Sequence, residues 1–197
     1  NSGHVRVYQF SGGSWSQLGD DINGEAAGDH SGISVSLSSD GTTVAIGARY
    51  NGGNGSKSGH VRVYQFSGGS WSQLGVDIDG EAVGDELGTS VSLSSDGTTV
   101  AIGARYNNGN GSDSGHVRVY QFSGGSWSQL GDDINGEAAG DHSGISVSLS
   151  SDGTTVAIGA RYNGGNGSKS GHVRVYQFSG GSWSQLGVDI DGEAAAD

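Results

Sequence analysis

"GHVRVYQFSGGSWSQLG" fills residues 3–19 and recurs unchanged at residues 59–75, 115–131 and 171–187, an interval of 56 residues each time. A catalytic centre is normally assembled once, from residues drawn from several elements. A segment copied verbatim is read first as a unit that builds by stacking. Within it, "HVRVYQF" is rich in β-branched and aromatic residues, as strands are. The Gly-Gly pair that follows supplies the positive φ of a hairpin turn before a Trp-bearing run.

Working outward, three more strand-length runs complete the period. "ISVSLS" (residues 33–38) alternates strictly, with Ile33, Val35 and Leu37 on one face and serines on the other. "TTVAIGARY" (residues 42–50) is more continuously apolar and carries small residues, the pattern of a strand covered on both faces. "SWSQLG" (residues 70–75) is shorter and more polar and reads as an outer edge strand. Turns at Asp40-Gly41 and Gly68-Gly69 separate the runs, and no segment combines helical spacing with helix formers.

Each period therefore reads as a four-stranded antiparallel meander. Such a sheet cannot bury both faces alone, so copies must pack on one another. The expected fold is all-β: tandem four-stranded antiparallel blades of 56 residues, stacked radially as a β-propeller, with an open stacked array or filament as the alternative. The expected division is a half blade holding third and fourth strands (1–28), then blades at 29–84, 85–140 and 141–197. Starting at Asn1 and beginning mid-blade, the chain reads as a segment of a longer repeat array.

A second period lies over the first. Residues 3–82 match residues 115–194 position for position. The intervening copy reads "VDIDGEAVGDELGTS" (residues 76–90) where its neighbours read "DDINGEAAGDHSGIS" (residues 20–34 and 132–146). A difference confined to one copy is where an asymmetric ligand would find its site.

Composition narrows the function. The formal net charge is −12 and the few basic residues are scattered singly, which excludes nucleic acid as a partner. Cysteine is absent, so there is neither a disulfide scaffold nor a thiolate metal site. No apolar run is long enough to cross a bilayer as a helix, and no membrane span is expected. The 40 glycines recur at fixed places among Val, Ile, Tyr and Trp, which marks them as turn residues rather than signs of disorder.

Gly32, "SVSLSSDGTTVAIGA" (residues 34–48), the Gly/Asn loop and "GHVRVYQF" leading to Trp71 together resemble the FG-GAP family. This is the blade repeat of the integrin-α β-propeller and of many bacterial and algal surface proteins. The resemblance spans essentially the whole chain and implies extracellular binding or architectural roles. Two departures stand out. The Phe of the family's name is replaced by Ser31, Leu87 and Ser143, and the Pro after Gly-Ala by Arg49, Arg105 and Arg161. The tight "SSDGTT" turn also stands where the family's calcium-binding blades carry an acidic loop, so that site does not carry over.

Calcium remains a candidate elsewhere, because it takes six to eight oxygens. The acidic connections supply Asp21, Asn23, Glu25 and Asp29, then Asp77, Asp79, Glu81 and Asp85, then Asp133, Asn135, Glu137 and Asp141. The competing reading is a solvated link between blades with Asp capping its turns. Asn54, Asn110 and Asn166 each begin an Asn-Gly-Ser acceptor pattern for N-glycosylation. His4, His60, His116 and His172 form a regular column with no second nitrogen or sulfur at metal-site spacing, and read as residues bonding between blades. Trp15, Trp71, Trp127 and Trp183 could stack on sugars but read as packing at the blade edge. No serine is singled out as a nucleophile with a dedicated base, so no enzymatic activity is expected. The expected function is a non-enzymatic extracellular structural protein that assembles with itself into a surface layer or fibre. The alternative is a cell-surface adhesin or lectin-like module that binds carbohydrate or a surface protein on its blade loops.

Overall fold

The computed structural model describes residues 2–195 as nineteen short strands. Four belong to an incomplete first layer: β1 (His4–Val5), β2 (Tyr8–Ser11), β3 (Ser14–Gln17) and β4 (Ile22–Asn23). The next sheet runs β5 (Ser34–Leu37), β6 (Thr43–Ala48), β7 (His60–Ser67) and β8 (Ser70–Gln73), with β9 (Ile78–Asp79) paired to the start of β7. The pattern repeats as β10 (Ser90–Leu93), β11 (Thr99–Ala104), β12 (His116–Ser123), β13 (Ser126–Gln129) and β14 (Ile134–Asn135). It repeats again as β15 (Ser146–Leu149), β16 (Thr155–Ala160), β17 (His172–Ser179), β18 (Ser182–Gln185) and β19 (Ile190–Asp191). All of these pairings are antiparallel.

The outer strand differs from the expected single run. Tyr64 faces Gln73 while Val61 faces Ile78, so three steps along β7 correspond to five along its partner. The extra residues form a bulge at positions 74–77, entered by the Leu74 N–H donating to the Val63 carbonyl at 2.7 Å and by Gly75 at φ 78°. A bulge re-aims the side chains it carries, here including Asp77.

The core lies between sheets. Val44 and Ile46 of β6 pack backward with Ile22 against the first layer. Ala45, Val61 and Val63 face forward and meet Val91, Leu93, Val100 and Ile102 of the next sheet. The second complete seam repeats this with Val117, Val119, Val156 and Ile158. Val91 and Leu93 are 8% and 7% exposed, whereas the matching Val35 and Leu37, which face only the incomplete first layer, are 53% and 49% exposed. Each such burial contributes roughly 1.5–3 kcal/mol, so a sheet's stability depends on its neighbours.

The serine face of each first strand serves the next sheet. Ser34 Oγ donates to the Gly88 carbonyl at 2.8 Å, and Ser36 Oγ accepts from the Leu93 N–H at 2.9 Å. Ser90 and Ser92 repeat both contacts with Gly144 and Leu149. These bonds occupy backbone groups that an inner edge strand would otherwise leave open. Sheets also approach closely at Gly103, where an added Cβ would lie 2.0 Å from the Gly144 carbonyl oxygen.

Candidate functional site

At the outer end of each seam a carboxylate of one layer meets an imidazole and a carboxylate of the next. The three groups are Glu25–His60–Asp77, Glu81–His116–Asp133 and Glu137–His172–Asp189, and each could hold a metal ion. Their construction is local. The histidine opens the third strand of its sheet, and the second acid sits in or beside the outer-strand bulge. The glutamate lies just past the last short strand of the preceding layer, with His60 opposite Asp79 across the ladder. The three histidine side chains are only 1% exposed, against 42–45% for the glutamates. Burial pushes the His60 and His116 imidazoles below the ordinary histidine range, which favours their neutral form.

The first and third groups are alike. His60 Nδ1 stands 3.6 Å from Asp77 Oδ2 and 3.8 Å from Glu25 Oε2. His172 Nδ1 stands 3.6 Å from Asp189 Oδ2 and 3.7 Å from Glu137 Oε2. The other oxygens have other partners. Gln73 donates to Asp77 Oδ1 at 2.6 Å, and the Arg62 guanidinium lies 3.5 Å from Glu25 Oε1 while donating to the Asn23 carbonyl. Gln185, Arg174 and Asn135 repeat this arrangement. In the middle group the arginine has moved in. Arg118 donates to both oxygens of Asp133, at 2.8 and 3.1 Å, and also pairs with Glu81. Burial opposes ionisation of Asp133, but the Arg118 and Gln129 bonds outweigh it and hold the carboxyl below its usual range. The alternation follows the longer sequence period, since the bulge reads Val76-Asp77 and Val188-Asp189 at the outer groups but Asp132-Asp133 in the middle.

The remaining acidic positions are shared among separate partners rather than gathered into one oxygen cage. Asp21 is held down to about 2 by hydrogen bonds from Arg6 and Gln17. Asp29, Asp85 and Asp141 are buried, and each accepts from a backbone N–H three residues earlier and from Asn51, Asn107 or Asn163. Asp79 is pushed up by burial and by its neighbour Asp77. Asn23 and Asn135 contribute backbone carbonyls to Arg62 and Arg174.

Asn54, Asn110 and Asn166 are exposed, and their side-chain amides donate to the carbonyls of Gly80, Gly136 and Gly192. The tryptophans close seams: the Trp71, Trp127 and Trp183 indoles donate to the carbonyls of Leu18, Leu74 and Leu130, each at 2.7 Å.

The middle copy's departures are absorbed by packing. Leu87 is 1% exposed in the core, and buried Glu86 pairs with Arg105 at 3.0 Å. His142, its counterpart in the next copy, sits between Tyr106 and Tyr162. In the sequence the histidine column and the acidic loops stand apart. What joins them is a contact between copies, whose linear trace is a constant 52-residue offset between the glutamate and the bulge acid.

The sequence pattern of the FG-GAP repeat matches residues 23–64, 76–120 and 135–176. No curated protein matches the chain. Among solved structures, a proposed 6-phosphogluconolactonase from Bacteroides uniformis is similar over the whole chain and 51% of its own length, with a TM-score of 0.66 and 12% identity. Another from Bacteroides fragilis is similar over 89% of this chain and 43% of its own, with a TM-score of 0.60 and 13% identity. The chain thus spans about half the length of these structures, and the likeness is one of fold, which is propeller-like. It also corrects one expectation. The lack of a serine set apart with a dedicated base leads to the expectation of no enzymatic activity, yet proteins described as lactonases share this architecture. Catalysis depends on a few side chains grafted onto a fold, and repetition of the scaffold does not exclude them.

Proposed function

From the premise that the chain belongs to the FG-GAP repeat family, we propose that it is an extracellular architectural protein whose blades extend by stacking like upon like into a surface layer or fibre. FG-GAP repeats are typical of extracellular or surface proteins.

One observation carries the reading: the two outermost faces of the stack are complementary halves of the seam found inside it. At the front, Ile33, Val35, Leu37 and Trp15 are exposed, Trp15 by 68%. At the rear, Val173, Leu186 and Ile190 are exposed. Internally the same positions meet one another, as where Trp127 caps Leu74 and where Val91 and Leu93 pack with Val61 and Ile78. A further blade on either face, from more of the same chain or from another copy, would repeat those contacts. Heterologous contacts of this kind give a ring when the rotation closes and a fibre when it does not.

The test is light scattering over a concentration series, with electron micrographs, on the 197-residue chain and on variants Val35→Asp and Val173→Asp, each charging one face. Mass that grows with concentration, and is cut back by either substitution, is expected. A chain that stays monomeric throughout, or that remains so while binding a single saturable glycan or surface protein, overturns the proposal.

A further inference from the structure

The outer two of the three seam clusters carry a chemical contradiction that a cation resolves. In each, a buried imidazole presents Nδ1 to two carboxylate oxygens, and Nδ1 of His60 and His172, like that of His116 in the middle cluster, has no hydrogen-bond partner among the described residues. What sets the outer two apart is that no guanidinium of those residues lies across both carboxylates. The separations of 3.6–3.8 Å exceed those of a charge-assisted hydrogen bond, about 2.7–2.9 Å. They are close to a different spacing. Zinc bonds of about 2.0–2.1 Å to nitrogen and oxygen, arranged tetrahedrally, set the ligand atoms roughly 3.3–3.4 Å apart. A contraction of a few tenths of an ångström would bring both nitrogen–oxygen separations to that spacing, and all three ligand atoms already lie within 4.8 Å of one another.

The surroundings suit such an ion. Gln73 and Arg62 hold the far oxygens of Asp77 and Glu25, leaving the near oxygens facing His60, the kind of outer support that orients metal ligands. Gln185 and Arg174 do the same at the other cluster. The middle cluster supplies an internal comparison: there the Arg118 guanidinium already lies on both carboxylates and provides the positive charge.

We infer that Glu25–His60–Asp77 and Glu137–His172–Asp189 are binding sites for a divalent transition ion of the zinc class, one at every second seam, with the fourth position left to water. One imidazole nitrogen with two carboxylate oxygens favours such an ion over calcium, which takes six to eight oxygens. Each ion would join a glutamate of one layer to a histidine and an aspartate of the next. This inference is independent of whether chains assemble with one another.

The experiment is calorimetric titration of zinc into the chelator-treated full chain, with calcium titrated in parallel and with cobalt(II) absorption as a report on coordination geometry. Two zinc ions per chain are expected, with a tetrahedral cobalt spectrum. His60→Gln and His172→Gln are the direct variants. Because their side chains are buried, Glu25→Gln and Glu137→Gln, at half-exposed positions, serve where the histidine variants do not fold. Each glutamate substitution should remove one ion or weaken it roughly tenfold or more. The absence of saturable zinc binding, binding unaffected by both glutamate substitutions, or calcium bound as tightly as zinc at these positions overturns the assignment.

Discussion

At the scale of single residues, the most repeated chemistry is the aspartate of the "SSDGTT" turn. Asp96 accepts from the Ser94 hydroxyl at 2.7 Å and from the Thr98 N–H at 3.0 Å, and Asp40 and Asp152 do the same in their turns. These bonds hold all three carboxyls below the ordinary value of 3.8. A carboxyl whose folded value is depressed binds fewer protons folded than unfolded in that window. Its stabilisation is therefore complete above the unfolded value and is lost as pH falls below it. Stability, read as the urea midpoint, should decline as pH drops below 3.8, and Asp96→Ala should flatten that decline. An unchanged slope in the variant would show that the turn does not contribute. These aspartates were legible as turn residues in the sequence, because Asp-Gly between two apolar runs has few other uses. The seat of His60 was not, because its partners lie in two different copies and meet only once sheets are stacked.

At the scale of elements, the four runs of each period were legible because strict alternation and paired glycines set strand and turn independently of packing. The break in the outer strand was not. In "SWSQLGVDI" (residues 70–78) Gly75 marks a strand end as readily as a bulge, and the inward turn of Leu74 answers to the Trp127 indole of the following sheet. The second strand shows how seams constrain composition. At Gly103 an added Cβ would meet both the Gly144 carbonyl at 2.0 Å and Ser90 Oγ at 2.5 Å, whereas at Gly159 the close neighbour is Ser146 Oγ alone. Gly103→Ala should cost about 1–3 kcal/mol in an equilibrium unfolding experiment, and Gly159→Ala less. Equal losses would mean that the cost arises within the strand and not at the seam.

At the scale of the whole molecule, stability is a property of neighbours. Residues 29–84 alone would leave both sheet faces wet, and should show no cooperative thermal transition by circular dichroism, while the full chain unfolds in one. A sharp transition in the isolated 56-residue unit would overturn the view of a core lying between sheets. The serine contacts have a further consequence. Ser34 and Ser36 reach to the following sheet and the Ser39 N–H bonds to Ser95, while the Trp71 and Trp127 indoles donate back to the preceding layer, so the two faces of every layer carry different groups. Two stacks meeting nose to nose would find nothing to exchange. Under the proposed stacking, lengthening would keep a single polarity, with a head and a tail that are chemically unlike and that would capture newcomers at different speeds.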